Sequence, residues 1–205
     1  RYVEGGEYAL HCRREGSLEA PEQVMLDGNR IGEGEAFFSL RGVTVSSDSR
    51  VVSYAVDTVG RRIYERRFRD LATGEDLPDV IPGVTPNGVW AEDGRTFFYA
   101  RQDAQTLRSF QIWKHTLGSD PATDTLVYEE TDPGFFLGVD KTESGRFILL
   151  DSHDHTTSEV RYVPADRPGA EPVVFAERER DVEYGIADHG ERWLILTNAG
   201  GAEDF

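Results

Sequence analysis

One short pattern recurs four times along the chain: a small or acidic turn, an arginine, then a hydrophobic run. It reads SSDSRVVSYAVD at 46–57, AEDGRTFFYARQD at 91–103, TESGRFILLDSHD at 142–154 and DHGERWLILTN at 188–198. The arginines, Arg50, Arg95, Arg146 and Arg192, stand 45, 51 and 46 residues apart. Before each turn lies another β-rich run (GVTVS, GVWAE, LGVDK, EYGIAD), so each repeat opens with a hairpin signal. The three complete repeats continue with a third run: IYERRFRDL (63–71), FQIWKHTL (110–117) and SEVRYVPAD (158–166). A fourth run follows in each: LPDVI (77–81), TLVYEE (125–130) and EPVVFAE (171–177). Upstream, EYALHCRR (7–14) and EQVMLDG (22–28) read as the last two strands of an earlier repeat.

Four strands in roughly 45–50 residues, with almost no sustained helical periodicity, is the arithmetic of a β-propeller blade. A β-sandwich supplies many strands but has no reason to repeat at this period. The expected fold is therefore all-β, a partial β-propeller of about four blades with antiparallel strands. The expected units are a partial blade at 1–36, blades at 37–82, 83–131 and 132–178, and a partial blade at 179–205. A lone four-stranded sheet leaves both apolar faces wet, so each blade needs neighbours. The first and last units are expected to expose apolar faces and strand edges, and the chain to self-associate through them.

The chain has 205 residues and starts without methionine, which suggests a piece of something longer. Its 38 acidic and 22 basic residues give a formal charge of -16. Such a field repels nucleic acid and anionic lipid and attracts cations. No apolar run approaches the roughly 18 residues of a membrane span. A single cysteine, Cys12, excludes internal disulfides and a cysteine-built zinc site. That usage fits a reducing, cytoplasmic compartment.

LLDSHDHTTSEV (149–160) concentrates two histidines and two aspartates in five positions. In the repeat it falls between second and third strands, where a polar turn is the first reading. A contact with a neighbouring domain or substrate, or a metal site, ranks behind it, since a metal needs three or four converging ligands. Glu129, Glu130 and Asp132 precede DPG and read as solvated turn residues. Trp90, Trp113 and Trp193 fall within strand runs and read as core. Arg61 and Arg62 occupy a loop between second and third strands, either solvated or bridging to another domain. No nucleophile elbow, phosphate loop or zinc-protease motif is present, so no catalytic, cofactor or metal residue is assigned.

GEYALHCRR, FRDLATGEDLPD, VWAEDGRTFFYARQD, FQIWKHTLGSDPATDTLVYEE, FFLGVDKTESGRFILL and TTSEVRYV, in that order, resemble the oligopeptidase B (protease II) branch of the prolyl oligopeptidase family of serine peptidases. SSDS stands where SPDG is commoner, a change of turn chemistry. The resemblance implies part of a seven-bladed propeller that caps an α/β-hydrolase domain. The catalytic serine, aspartate and histidine would lie outside these positions. It also implies cleavage of short peptides after Arg or Lys, especially at dibasic sites, and no cofactor. Arg61 and Arg62 become the candidate contacts between the two domains. The propeller would act as a size filter and its acid excess would steer cationic peptides inward. A propeller scaffold that binds proteins and belongs to no enzyme is the alternative. A propeller sugar or metal enzyme ranks last, because the five histidines do not recur in register.

Overall fold

Each strand in the computed structural model, which describes residues 1–202, pairs antiparallel with its neighbour in sequence. β1 (Leu10–Arg14) and β2 (Glu22–Asp27) form a hairpin, closed by a one-turn helix, α1 (Gly28–Ile31). Then come β3 (Ser39–Val45), β4 (Val51–Asp57), β5 (Tyr64–Asp70) and β6 (Asp76–Trp90). β7 (Thr96–Gln102), β8 (Ser109–Thr116) and β9 (Thr125–Glu129) complete a seven-stranded sheet. A four-stranded sheet follows, from β10 (Phe136–Lys141), β11 (Phe147–His153), β12 (Ser158–Pro164) and β13 (Val173–Val174). The last hairpin is β14 (Tyr184–His189) with β15 (Arg192–Thr197).

Two differences from the sequence reading concern fourth strands. PGVTPN, between LPDVI and GVWAE, has the composition of a turn, yet 76–90 is one extended run. Gly83, at φ 74°, and a break in register between Val84 and Gly88 bend it. Val84 consequently stands opposite both Tyr64 on one side and Arg101 on the other. β6 thus serves as the last strand of one blade and the first of the next, a bulge doing the work of a loop. EPVVFAE, by contrast, contributes only the two-residue β13.

The core shows why the units stack as blades. All of β4 is buried, because it has a neighbour on each face. Val51 and Ala55 join a cluster with Phe68, Ile81, Trp90, Phe97 and Tyr99 from the following blade boundary. Val52, Tyr54 and Val56, pointing the other way, pack with Leu26 of the preceding hairpin. β7 divides in the same manner: Phe97 and Tyr99 face backwards, while Phe98 and Ala100 join Leu137, Val139, Ile148 and Leu150 ahead. Beyond that, Phe147, Tyr162 and Phe175 surround Trp193 of the final hairpin, with ring centroids 4.8–5.6 Å away. Leu194, Ile195 and Leu196 are 58%, 53% and 62% exposed, so the last hairpin carries uncovered apolar side chains. Trp90 is core as expected, whereas Trp113 and Trp193 are only partly buried.

Candidate functional site

Antiparallel reversals send alternate connections to opposite ends of a blade. The loops between second and third strands (58–63, 103–108, 154–157) therefore share one end with the links between blades (83–87, 130–135, 176–183). Side chains tie these segments together there. Gln102 Nε2 donates to the Arg62 carbonyl at 2.6 Å. Arg108 donates to the carbonyls of Phe135, Glu130 and Asp132 at 2.6–2.7 Å. The opposite end has its own chain of contacts, in which Ser47 donates to the Glu92 carbonyl and Ser144 to Asp188.

An aspartate organises each loop of the first end. Asp57 accepts from the backbone N–H groups of Val59, Gly60 and Arg62 at 2.8–2.9 Å. Asp103 accepts from Gln105 and Thr106, and Asp154 from Thr156 and Thr157, at 2.7–3.0 Å. Backbone donation by Thr106 and Thr156, respectively, holds the Asp103 and Asp154 carboxyls below the usual range. Asp154 and His155 accordingly lie in a turn of this recurring kind, whereas Ser152 and His153, expected in the connection, are the last residues of β11 and pair with Glu159 and Ser158. His153 and His155 are exposed, and a hydrogen bond to Asp151 holds His153 above the usual imidazole range. Among the described residues, no three His, Cys, Asp or Glu side chains converge as a metal site would require.

Arg61 and Arg62 project from the Asp57-anchored loop, and both are exposed. Arg62 adopts φ 58°, a left-handed conformation held by the three bonds to Asp57. Among the described residues neither guanidinium has an ion-pair partner, so the loop presents two positive charges on a fixed backbone.

Glu130 corrects the sequence reading. It is 3% exposed rather than solvated. Its carboxylate accepts from the buried Ser152 hydroxyl and from Arg178 Nη2, whose guanidinium lies 4.0 Å from the Phe135 ring centroid. Burial pushes the Glu130 carboxyl up, but these donors outweigh it and leave it below the usual range. Glu129 and Asp132 are exposed, as expected.

Two fully buried polar side chains, His115 and Arg66, carried no local signal. The ring nitrogens of His115 meet Asp124 Oδ1 at 2.7 Å and Asp79 Oδ1 at 2.9 Å. Arg66, in β5, sends Nη1 to the Gly42 carbonyl and Nη2 to the Pro86 carbonyl, at 2.6 and 2.5 Å. Burial alone lowers its pKa to about 9, so it remains a cation at neutral pH. Nothing in this set is an exposed, activated nucleophile; the chemistry available is charge, shape and access.

Comparison with known proteins gives a consistent picture. Residues 1–204 match the family model described as prolyl oligopeptidase, N-terminal beta-propeller domain. The chain is 43% identical over 221 residues to dipeptidyl aminopeptidase BI of Pseudoxanthomonas mexicana, covering 100% of this chain and 30% of that protein. It is 32% identical over 201 residues to protease 2 of Moraxella lacunata, covering 95% of this chain and 29% of that protein. Among solved structures, oligopeptidase B from Leishmania major superposes with a TM-score of 0.88 at 28% identity. That match covers 96% of this chain and 28% of the other. The chain thus spans under a third of the length of the curated relatives it matches.

Proposed function

The chain belongs to the prolyl oligopeptidase family as part of its N-terminal β-propeller domain, and from that premise we propose that it gates substrate entry to a serine peptidase that cleaves short peptides after Arg or Lys. Paired basic sites are the preferred targets. The hydrolase domain, and with it the nucleophile, belongs to the remainder of the parent polypeptide. Flexible peptides pass a ring of blades that folded proteins cannot. The observation that carries the basic specificity is the combination of a -16 field with relatives named protease 2 and oligopeptidase B. Acid excess raises the capture rate of cationic peptides more than their final affinity.

The end of the blades that carries Arg61 and Arg62 is the side we assign to the hydrolase domain. Two unpaired guanidiniums on a rigid loop suit carboxylates of an opposing surface. Cytoplasmic residence is proposed from the single cysteine, and self-association of the separate chain from the uncovered Leu194–Leu196 run. The 43% identity to a dipeptidyl aminopeptidase supports a second reading, removal of dipeptides from peptide N-termini. The protein-binding scaffold unattached to an enzyme stands behind both, and a hydrolase domain in the parent chain would eliminate it.

One assay separates these readings. The parent enzyme is given a peptide with an internal Arg-Arg pair and a blocked N-terminus, with salt varied from about 10 mM to about 1 M. The Debye length then falls from about 30 to about 3 Å. Cleavage after the pair, with kcat/KM falling about tenfold or more across that range, is expected. A flat salt response sinks the steering idea. Cleavage only when the N-terminus is free supports the dipeptidyl reading instead.

A further inference from the structure

A cleft of about 390 Å³ opens at the end of the blades that carries Arg61 and Arg62, between the second complete blade and the third. Asp103, Thr106 and Arg108, from the loop joining β7 to β8, line one side, and Phe110 near the start of β8 continues it. Pro133, in the link between the blades, and Phe136, the first residue of β10, line the other. Phe136 is 44% exposed, and Phe110 is half-buried. Aromatic rings left open in a concave wall are the residue type that interface cores favour. The wall is preformed: Leu107 is held at φ 60°, its N–H donating to the Asp103 carbonyl at 2.9 Å.

Both charged side chains of the cleft are engaged within the chain. Arg108 Nε and Nη2 donate to the carbonyls of Phe135, Glu130 and Asp132, and its guanidinium carbon lies 5.6 Å from the Phe110 ring centroid. Asp103 Oδ1 accepts from the N–H groups of Gln105 and Thr106 and from the Thr106 hydroxyl. A basic side chain entering here would meet the Arg108 cation at the wall, so the cleft does not suit the peptides of the proposed function. Two phenyl rings and a proline suit an apolar side chain, whose burial needs no charge.

The two blades that flank the cleft both belong to this chain. Further blades stack against the first and last hairpins of the arc, to the side of the cleft, and leave it open. Whatever covers it approaches from beyond the blade ends. The chain spans under a third of the length of its curated relatives, so most of a parent polypeptide is available to do so. We propose that the Phe110–Phe136 cleft receives an apolar side chain of the hydrolase domain of the same polypeptide and so latches the propeller to it. The inference rests on the gating role and deepens it. Charge at Arg61 and Arg62 acts over a Debye length and is screened by salt, whereas an apolar contact acts only once the domains have met. The first orients the closing domains and the second holds them closed.

The test is site-specific photo-crosslinking in the parent enzyme. Phe136 is replaced by p-benzoylphenylalanine, a larger aromatic at an exposed position, so folding is not threatened. Val174, 37% exposed on the outermost strand β13, carries the same probe as a control. After irradiation, with and without an Arg-Arg peptide, crosslinked segments are mapped by mass spectrometry. Position 136 is expected to join a residue of the hydrolase domain of its own polypeptide, and position 174 to give no such product. A crosslink from 136 to the added peptide or to a second copy of the enzyme would overturn the proposal. So would no crosslink at all, or the same crosslink from both positions. Cleavage of an Arg-Arg reporter by the unmodified parent, followed in parallel, judges the proposed function separately. An enzyme that cuts the reporter but forms no crosslink to its hydrolase domain defeats the cleft alone, and one that crosslinks as expected but never cuts defeats the specificity alone.

Discussion

His115→Ala is expected to destabilise the chain by about 3–5 kcal/mol, because it removes a fully buried ring and the hydrogen-bond partner of two buried carboxylates. The imidazole has no solvent exposure, and the Asp79 and Asp124 side chains on either side of it are 3% and 1% exposed. Both ring nitrogens lie within hydrogen-bond distance of a carboxylate oxygen, at 2.7 and 2.9 Å. Asp124 also accepts from the Tyr99 hydroxyl at 2.7 Å, and Asp79 from the Gly118 backbone N–H at 2.6 Å. Phe68 stacks on the ring with centroids 5.7 Å apart. Asp79 belongs to one blade, His115 and Asp124 to the next, so the cluster fastens the two. Alanine would leave two buried carboxylates unpaired. Urea unfolding of wild type and variant measures the effect. A cycle with Asp124→Asn should show strong non-additivity, because each single change already breaks the same cluster. A loss under about 1 kcal/mol would mean that solvent reaches this cluster, and the packing described between these blades would be wrong.

Phe98→Ala should cost about as much, roughly 3–5 kcal/mol, by a different route. Phe98 is fully buried in the cluster between the second and third blades, with Leu137, Ile148 and Leu150 from the sheet ahead. The lost ring removes apolar burial and leaves a cavity that the two sheets cannot close without shifting. Leu194→Ala provides the contrast. That side chain is 58% exposed, so its truncation should stay within about 0.5 kcal/mol. The pair of variants, compared by thermal and denaturant unfolding, tests whether blade-to-blade burial is the main source of stability. Similar losses at both positions would contradict it.

Much of this architecture was legible because it is periodic. β4 and β7 are near-continuous apolar runs, and the interval between arginines equals one blade, so local runs and their repetition identify the strands. The polar turn at Asp154 and His155 was legible for the same reason, although Ser152 and His153 before it end β11. Asp57, Asp103 and Asp154 hold equivalent loops, and a residue that recurs at the loop position is forming the loop. Glu130 was misread because its neighbours in sequence, Asp132 and Pro133, have turn chemistry. Its burial comes from Ser152 and Arg178, 22 and 48 positions further on. His115 depends likewise on Asp79, 36 positions away, and Arg66 on the Pro86 carbonyl, 20 positions away. These contacts are set by how blades stack, and no short stretch of sequence encodes them. The bend in β6 was hidden for a related reason: proline and glycine serve a bulge as well as a turn, and only pairing partners distinguish the two.

The proposed function divides labour between a shield of blades and chemistry located elsewhere in a longer polypeptide. Its most direct test is hydrolysis of an Arg-Arg reporter by the purified 205-residue chain and by the parent protein under identical conditions. The parent is expected to cleave it, to lose that activity to a serine-directed inhibitor, and the chain alone to release no product. Turnover by the purified chain, or no turnover by the parent, would contradict it.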